Sequence, residues 1–211
     1  MKKRDSIEAY FTRSDGKYIF ARWGRPIAPV VFGVQDETLV TLKTAIQSMV
    51  VLANHELAET DPEFGSNALF FFFSSWDELI AVNDLDRIIP DLGTLVERLK
   101  FIQANQYRVF RFDADGGIKA VFSFICMDKN LFSVSAEILC LNQAVQMFLL
   151  WSDDAFKENS PTLITKNGGV ILNPLVGDII RAVYDPTMPL ISNDKSHALR
   201  IQARIDLLRK N

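Results

Sequence analysis

Two residue types that carry much of protein chemistry are scarce in this chain, which has two cysteines and two histidines among 211 residues. No CxxC pair or Cys/His cluster is present, so the spacing of a structural zinc site is missing. Cys126 and Cys140 each lie in an apolar run. We therefore expect two buried thiols that behave as small apolar side chains, with a disulfide between them disfavoured.

The motifs of several common enzyme classes are also missing. The chain contains no GxxxxGK[ST] or GxGxxG loop to hold a phosphate, and no GxSxG turn to present a serine nucleophile. The segment "DADGG" begins like a calcium loop, but the later glutamate of that loop does not follow, so a tight hairpin turn is favoured. These absences favour a protein without a cofactor.

Neither a long apolar run nor a basic face is present. No stretch of 18 apolar residues exists, and the net charge of -3 is spread along the chain, which argues against a membrane span and against a nucleic-acid partner. The first residues, "MKKRDSIEAYF", are basic but are followed by no apolar stretch. We expect a cytoplasmic protein, or a secreted one only if the chain is a mature form.

The chain does have the composition of a folded globular protein. Hydrophobic residues make up 48% and charged residues 23%, and sixteen phenylalanines allow a large core. This length and composition predict a single globular domain over residues 1–211, with a division into two domains as the weaker alternative.

Local patterns predict helices mixed with strands. We expect an edge strand at 28–34, a helix from Asp36 to near His55, a buried central strand at 68–73, and short helices near 76–82 and 91–104. Two β-prone runs flank "DADGG" and predict a hairpin. A helix at 134–151 follows, then a small hairpin and helices at 175–184 and 194–209. A hairpin between helices favours α+β over a doubly wound sheet.

The segment "HELAE" offers the nearest match to a metal motif. His55 and Glu59 stand at the i and i+4 positions of a helix, with Glu56 between them, as in four-fifths of an HExxH zinc motif. The second histidine is missing, and the segment falls where its helix should fray. We therefore interpret it as a solvated helix end, and we expect His197 to face solvent as well. The alternative is an unrecognised, metal-dependent hydrolase that uses His55, Glu59 and nearby carboxylates.

Three uncharged amides stand out in the otherwise apolar stretch "ILCLNQAVQMFLLWSDD". On a helix, Asn142 and Gln146 lie one turn apart on the same face, with Gln143 beside them. One interpretation is a structural network in which the amides bond to neighbouring backbone. The other is a candidate groove over these amides that also includes Ser152 and Asp153.

The same spacing resembles the metallopeptidase pattern HExxHxxGxxH/D. "NQAVQMFLLWS" places Asn142 and Gln146 at ligand positions, Gln143 at the base, Leu149 at the glycine and Ser152 at the third ligand. Amide oxygens are weak zinc ligands and Gln143 cannot accept a proton near neutral pH, so the peptidase chemistry is missing. Without the glycine, we expect the helix to continue past Leu149.

The order of elements also resembles the zincin-like arrangement, and in particular a bacterial family of uncharacterised, mostly secreted proteins with metallopeptidase-like folds. Arg22, Trp23 and Pro26 match its approach to the first strand, and "VYDP" matches its "LYDP" segment. The resemblance spans Ala21 to Leu208. It implies an α+β fold in which a mixed sheet of four to six strands packs against a long N-terminal helix and a buried motif helix.

These observations predict a pseudoenzyme: a non-catalytic binding or interaction domain with an unidentified protein or small-molecule partner. The competing class is the hydrolase built on His55. A third class is a homo-oligomer subunit in which exposed aromatic side chains, such as those of Trp76 and Trp151, make the contact.

Overall fold

A computed structural model describes residues 6–210 of the chain. Its strands are β1 Phe20–Ala21, β2 Pro29–Phe32, β3 Ala68–Phe73, β4 Gln106–Phe112, β5 Ile118–Cys126, β6 Thr162–Ile164, β7 Val170–Leu172 and β8 Ile191–Ser192. Its helices are α1 Asp36–Ala53, α2 Asp77–Ile80, α3 Leu85–Ile88, α4 Leu92–Phe101, α5 Lys129–Phe132, α6 Ala136–Phe148, α7 Pro174–Val183 and α8 Ser196–Leu208. A short 3-10 helix, Ile7–Tyr10, precedes β1.

A mixed four-stranded sheet in the order β2-β3-β5-β4 forms the centre of the fold. Strands β2, β3 and β5 are parallel, and β4 returns antiparallel to β5 through the predicted hairpin. Strand β3 is central, as its apolar sequence predicts, and β2 is an edge strand that begins at Pro29, where a missing N–H does no harm. The prediction of a mixed α and β fold with a mixed sheet is confirmed.

Helices cover both faces of this sheet. The larger core lies on one face and joins residues of α1, α6, α7 and α8 to the strands, whereas α2, α3 and α4 cover the other face with a smaller core. Successive side chains of β4 point to opposite faces of the sheet. Tyr107 and Val109 pack into the smaller core, and Phe110 packs against the larger one. The side chains of Gln106 and Arg108 therefore lie on the same face as α6.

Helix α6 begins as predicted but ends three residues early. The Ser135 hydroxyl accepts a hydrogen bond from the N–H of Ile138, which caps the first turn. The helix was expected to reach Trp151, but it ends at Phe148, since Leu149 is extended with φ -138° and ψ 156°. This exit needs no glycine because the chain leaves through ordinary extended backbone.

Aromatic side chains satisfy the last carbonyls of α6. The indole of Trp23 donates to the carbonyl of Met147 at 2.9 Å, and the Trp151 indole donates to Val145 at 3.0 Å. The Tyr184 hydroxyl donates to Phe148 at 3.0 Å. A helix end buried in the core needs such donors, because no water reaches its unpaired carbonyls.

Removing one of these donors should destabilise the protein measurably. In Trp23→Phe the carbonyl of Met147 loses its partner inside the core, and we expect the free energy of unfolding to fall by about 1–2 kcal/mol. Urea denaturation followed by circular dichroism measures the change, and an unaltered m-value shows that the native fold is kept. A midpoint equal to that of the wild type would contradict this role for Trp23.

Three expectations about exposed residues are wrong. His197 was expected to face solvent, but it is buried, and Trp76 and Trp151 are buried as well. Because His197 stands four residues before Ile201, and Ile201 four before Ile205, the three residues share the inward face of α8. Only 5% of Trp76 and 7% of Trp151 is exposed, which is too little for the aromatic surface that self-association was expected to use.

Two expectations based on composition agree with the structure. Cys126 and Cys140 are both free and buried, as predicted for cysteines in apolar runs. Among residues 6–210, no helix is long and apolar enough to cross a membrane.

Candidate functional site

A large cleft lies beside the open edge of β4, where the second half of α6 faces the strand. Its volume is about 1160 Å³. It is lined by residues of β4, α6, the 150–161 segment, β1 and β8. We call it the β4–α6 cleft. Its size is that of a site for a ligand of several hundred daltons or a short peptide.

The helical spacing of the amides decides which of them reach the cleft. Asn142 and Gln146 are half-buried and line it one turn apart, as their i and i+4 positions require. Gln143 lies beside them but is fully buried, among the core residues of α6. The amide helix therefore presents two amides to the cleft and keeps the third beneath its surface.

The three glutamines and one arginine form a hydrogen-bonded network across the β4–α6 boundary. The guanidinium of Arg108 donates from Nη1 to Gln146 Oε1 at 2.8 Å, and from Nη2 to Gln143 Oε1 and, at 3.1 Å, to Gln106 Oε1. Gln143 Nε2 also donates to Gln106 Oε1 at 2.8 Å. The two glutamines of α6 are thus acceptors that hold a cation, which explains why an apolar helix carries them.

No carboxylate neutralises Arg108 within residues 6–210. Burial alone lowers the pKa of its guanidinium to about 10, with no contribution from a neighbouring charge. The group is still protonated at neutral pH, so the cleft contains a cation whose charge is balanced only by amide dipoles. Removing a charge from water without a counter-charge is costly, and a bound anion would offset that cost.

Two buried polar atoms near this network lack a partner in the described part of the chain. One is Arg108 Nε, and the other is the hydroxyl of Ser123. Arg108 and Ser123 are direct cross-strand partners on β4 and β5, so their side chains lie on the same face. The polar site around Arg108 therefore has more hydrogen-bonding capacity than the protein itself uses.

The other charged side chains of the cleft are already paired. Arg13 forms an ion pair with Asp153 at 3.0 Å, and Lys157 pairs with Asp154. Asp153 is the one acidic side chain that lines the cleft in the described residues. The net uncompensated charge of the site is thus the single positive charge of Arg108.

The structure separates the residues that the sequence grouped as one candidate groove. Gln143 and Gln146 bond to residues of β4, whereas Asn142 Oδ1 accepts from the hydroxyl of Thr162 in β6 at 3.0 Å. Ser152 lines the cleft, but its N–H and hydroxyl donate to the carbonyls of Tyr10 and Ala9. Its role is thus to fasten the 150–161 segment to the 3-10 helix.

The segment "HELAE" was interpreted as a solvated helix end, but it lies beyond the end of the helix and forms no helical face. Helix α1 ends at Ala53, and Asn54 adopts the left-handed conformation with φ 48°, so His55 and Glu59 follow in irregular backbone. His55 Nε2 bonds to the carbonyl of Arg25 at 2.9 Å, and burial lowers the pKa of its imidazole. Among residues 6–210 no group of three or more His, Cys, Asp and Glu side chains is placed to hold a metal ion.

Arg108 and Gln106 were not singled out by sequence reasoning. A signal for them was present, because both alternate with Tyr107 and Val109 along a predicted strand, which places two polar side chains together on one face. No local pattern indicates that this face of the strand meets α6. Comparison of the chain with protein-family models, with curated proteins and with solved structures gives no match.

Proposed function

We propose that this protein is a non-catalytic binding domain that holds the carboxylate of its ligand against Arg108 in the β4–α6 cleft. The observation that carries the proposal is the buried guanidinium with amide acceptors and no carboxylate partner among the described residues. An incoming carboxylate would supply the missing negative charge and accept from N–H groups that the amides leave unused.

The charge of the site favours a carboxylate over a phosphate. A phosphate brings close to two negative charges, whereas the cleft offers one uncompensated cation, since Arg13 and Lys157 are paired with Asp153 and Asp154. A carboxylate matches that single charge. The aromatic side chains of Trp151 and Phe156, which also line the cleft, suit an apolar group attached to it.

The side chains of the cleft support binding rather than acid–base catalysis. Glutamine and asparagine do not exchange protons near neutral pH, and a guanidinium with a pKa of about 10 stays charged there. Asp153 is paired with Arg13, and the Ser152 hydroxyl donates to a backbone carbonyl. We keep the descent of α6 from a metallopeptidase-like motif helix as a hypothesis, supported only by the spacing of its amides.

The test is to titrate the protein with acetate, benzoate, N-acetylglycine and inorganic phosphate. Binding is measured by calorimetry and by changes in amide NMR chemical shifts. We expect at least one carboxylate to bind more tightly than phosphate, with shifts at Arg108 and Gln146. In Arg108→Gln the affinity should fall about tenfold, since one charge-assisted contact is lost.

Arg111→Gln is the matched control. Arg111 lies on the same strand but on the opposite face, where it donates to the carbonyl of Ile88. The Arg111→Gln variant removes the same charge from the same strand and should leave the affinity for the carboxylate unchanged. The proposal fails if none of the three carboxylates binds, or if the two variants lose affinity equally.

A further inference from the structure

We infer that the ligand of the β4–α6 cleft is an extended acidic peptide that adds to the outer edge of β4 as a further strand. The inference rests on the proposed function, because an aspartate or glutamate side chain of that peptide supplies the carboxylate for Arg108.

The register of the hairpin shows which backbone groups of β4 point outward. Asn105 and Cys126 are opposite each other, and the N–H of Cys126 donates to the carbonyl of Asn105 at 2.9 Å. Hydrogen-bonded pairs alternate along an antiparallel ladder, so Tyr107 and Val109 also bond to β5. The N–H and C=O groups of 106, 108 and 110 therefore point away from β5.

These outward groups are open in the described part of the chain. Strand β4 is the last strand of its sheet, and no backbone hydrogen bond joins residues 106, 108 or 110 to any other element within 6–210. The carbonyl of Phe110 accepts only a long bond from its neighbour Arg111, at 3.4 Å. An open edge of this kind is a template for another strand.

The β4–α6 cleft follows this edge instead of one face of the strand. Six consecutive residues, 105 to 110, line it. Side chains alternate between the two faces of a strand, so a cleft that touches every residue must run along the backbone. The seven residues of β4 extend for roughly 23 Å, which is the length of a bound peptide of about seven residues.

The surroundings of the edge define the side chains that suit the peptide. On the α6 face an acidic side chain reaches Arg108, and apolar side chains meet Leu150, Trp151 and Phe156 across the cleft. A peptide with an acidic residue flanked at alternate positions by apolar ones matches this pattern.

A second copy of the chain fits the same edge poorly. If two β4 strands paired antiparallel with 106, 108 and 110 of one strand opposite 110, 108 and 106 of the other, Arg108 would stand opposite Arg108 of the second copy. Like charges directly opposite each other destabilise a strand pair, and each guanidinium is already without a counter-charge. An acidic peptide instead neutralises this position.

The first part of the test uses a bead library of N-acetylated, C-amidated heptapeptides with a fixed central aspartate or glutamate and random neighbours. We expect peptides to be enriched on the wild-type protein, and Arg108→Gln to weaken the selected peptides about tenfold. Arg111→Gln should bind them as the wild type does. Enrichment that is equal on the wild type and on Arg108→Gln overturns the inference.

The second part identifies strand addition. Each selected peptide is remade with N-methyl groups at its even or at its odd positions, which removes alternate N–H donors. One set should weaken binding at least about tenfold and the other about twofold or less, since only alternate N–H groups face β4. In hydrogen exchange, the amides of 106, 108 and 110 should become protected when the peptide binds.

The failures of the two ideas are distinguishable. If small carboxylates bind through Arg108 but no peptide is enriched, or both N-methyl sets bind alike, the peptide inference is wrong and the proposed function stands. If neither carboxylates nor peptides bind, both are wrong. If the amides of 106, 108 and 110 are protected without peptide, and more so at higher protein concentration, a second copy occupies the edge and the inference is overturned.

Discussion

Gln146→Glu is expected to lower the affinity for a carboxylate ligand by about a hundredfold, more than loss of Arg108 itself. The substitution is isosteric, and it places a carboxylate where the amide oxygen now accepts from Arg108 Nη1 at 2.8 Å. The guanidinium then has an internal counter-charge in place of the ligand. The new carboxylate also repels the ligand, an effect that Arg108→Gln does not have.

The same substitution should stabilise the protein by about 1 kcal/mol near neutral pH, because a hydrogen bond between opposite charges replaces one in which only the guanidinium is charged. Arg108 lowers the pKa of the introduced carboxyl in the folded state below its value in the unfolded chain. The added stability is therefore present above the unfolded pKa, which is about 4.3, and is lost as pH falls through the folded one. Urea denaturation at pH 7 and pH 3 measures the added stability and its loss in acid.

Asn142→Asp is the matched control for this experiment. Asn142 lines the same cleft one turn earlier, but its amide oxygen accepts from Thr162 and not from Arg108. The variant adds the same charge to the cleft and leaves the guanidinium uncompensated, so we expect a loss of only about threefold in a solvent-screened setting. Equal losses in the two variants, or none in Gln146→Glu, would show that Arg108 is not the anchor.

The half of the site that lies on α6 could be predicted from the sequence, whereas the half on β4 could not, and the difference has a physical reason. Helical periodicity alone places Asn142, Gln143 and Gln146 together, and the Ser135 cap sets where α6 starts. Arg108 precedes Gln143 by 35 residues, on a different element. Which helix covers which face of a sheet depends on packing of the whole chain, and no local pattern encodes it.

The fold, too, is predictable from the sequence only in its local parts. The β4–β5 hairpin and the buried strand β3 follow from local signals, a DADGG turn and an apolar run. The parallel pairing of β2, β3 and β5 joins segments separated by long crossovers, and sequence patterns do not specify that order. The wrong prediction for His197 has a different cause. The four-residue spacing of His197 and Ile201 indicates a shared helix face, but His197 was assigned to solvent because it is polar.

His197 should make the protein lose about 2–3 kcal/mol of its free energy of unfolding between pH 7 and pH 4.5. Burial is the main cause that lowers the pKa of its imidazole to about 4; Arg200 lowers it further and Asp194 opposes the shift. The unfolded chain takes up a proton near pH 6.5, whereas the folded one does so only near pH 4. The stability is therefore present above pH 6.5 and is lost as pH falls towards 4.

The geometry around the ring agrees with this direction. His197 Nδ1 and the Tyr18 hydroxyl are hydrogen-bonded at 2.9 Å, and Nε2 is buried with no partner among residues 6–210. The ring of Phe20 lies 4.4 Å away. A charged imidazolium would need an acceptor at both nitrogens. No acceptor among residues 6–210 reaches Nε2, so protonation favours unfolding.

The double variant Tyr18→Phe/His197→Phe isolates this contribution, because it removes the titrating ring without leaving the tyrosine hydroxyl unpaired. Between pH 7 and pH 4.5 its free energy of unfolding should fall by about 2–3 kcal/mol less than that of the wild type, since all other titrating groups are common to the two proteins. His55, whose pKa burial also lowers, is present in both proteins, so its contribution cancels. A pH dependence equal to that of the wild type would mean that His197 is hydrated or paired in solution and is not the group that makes this fold acid-sensitive.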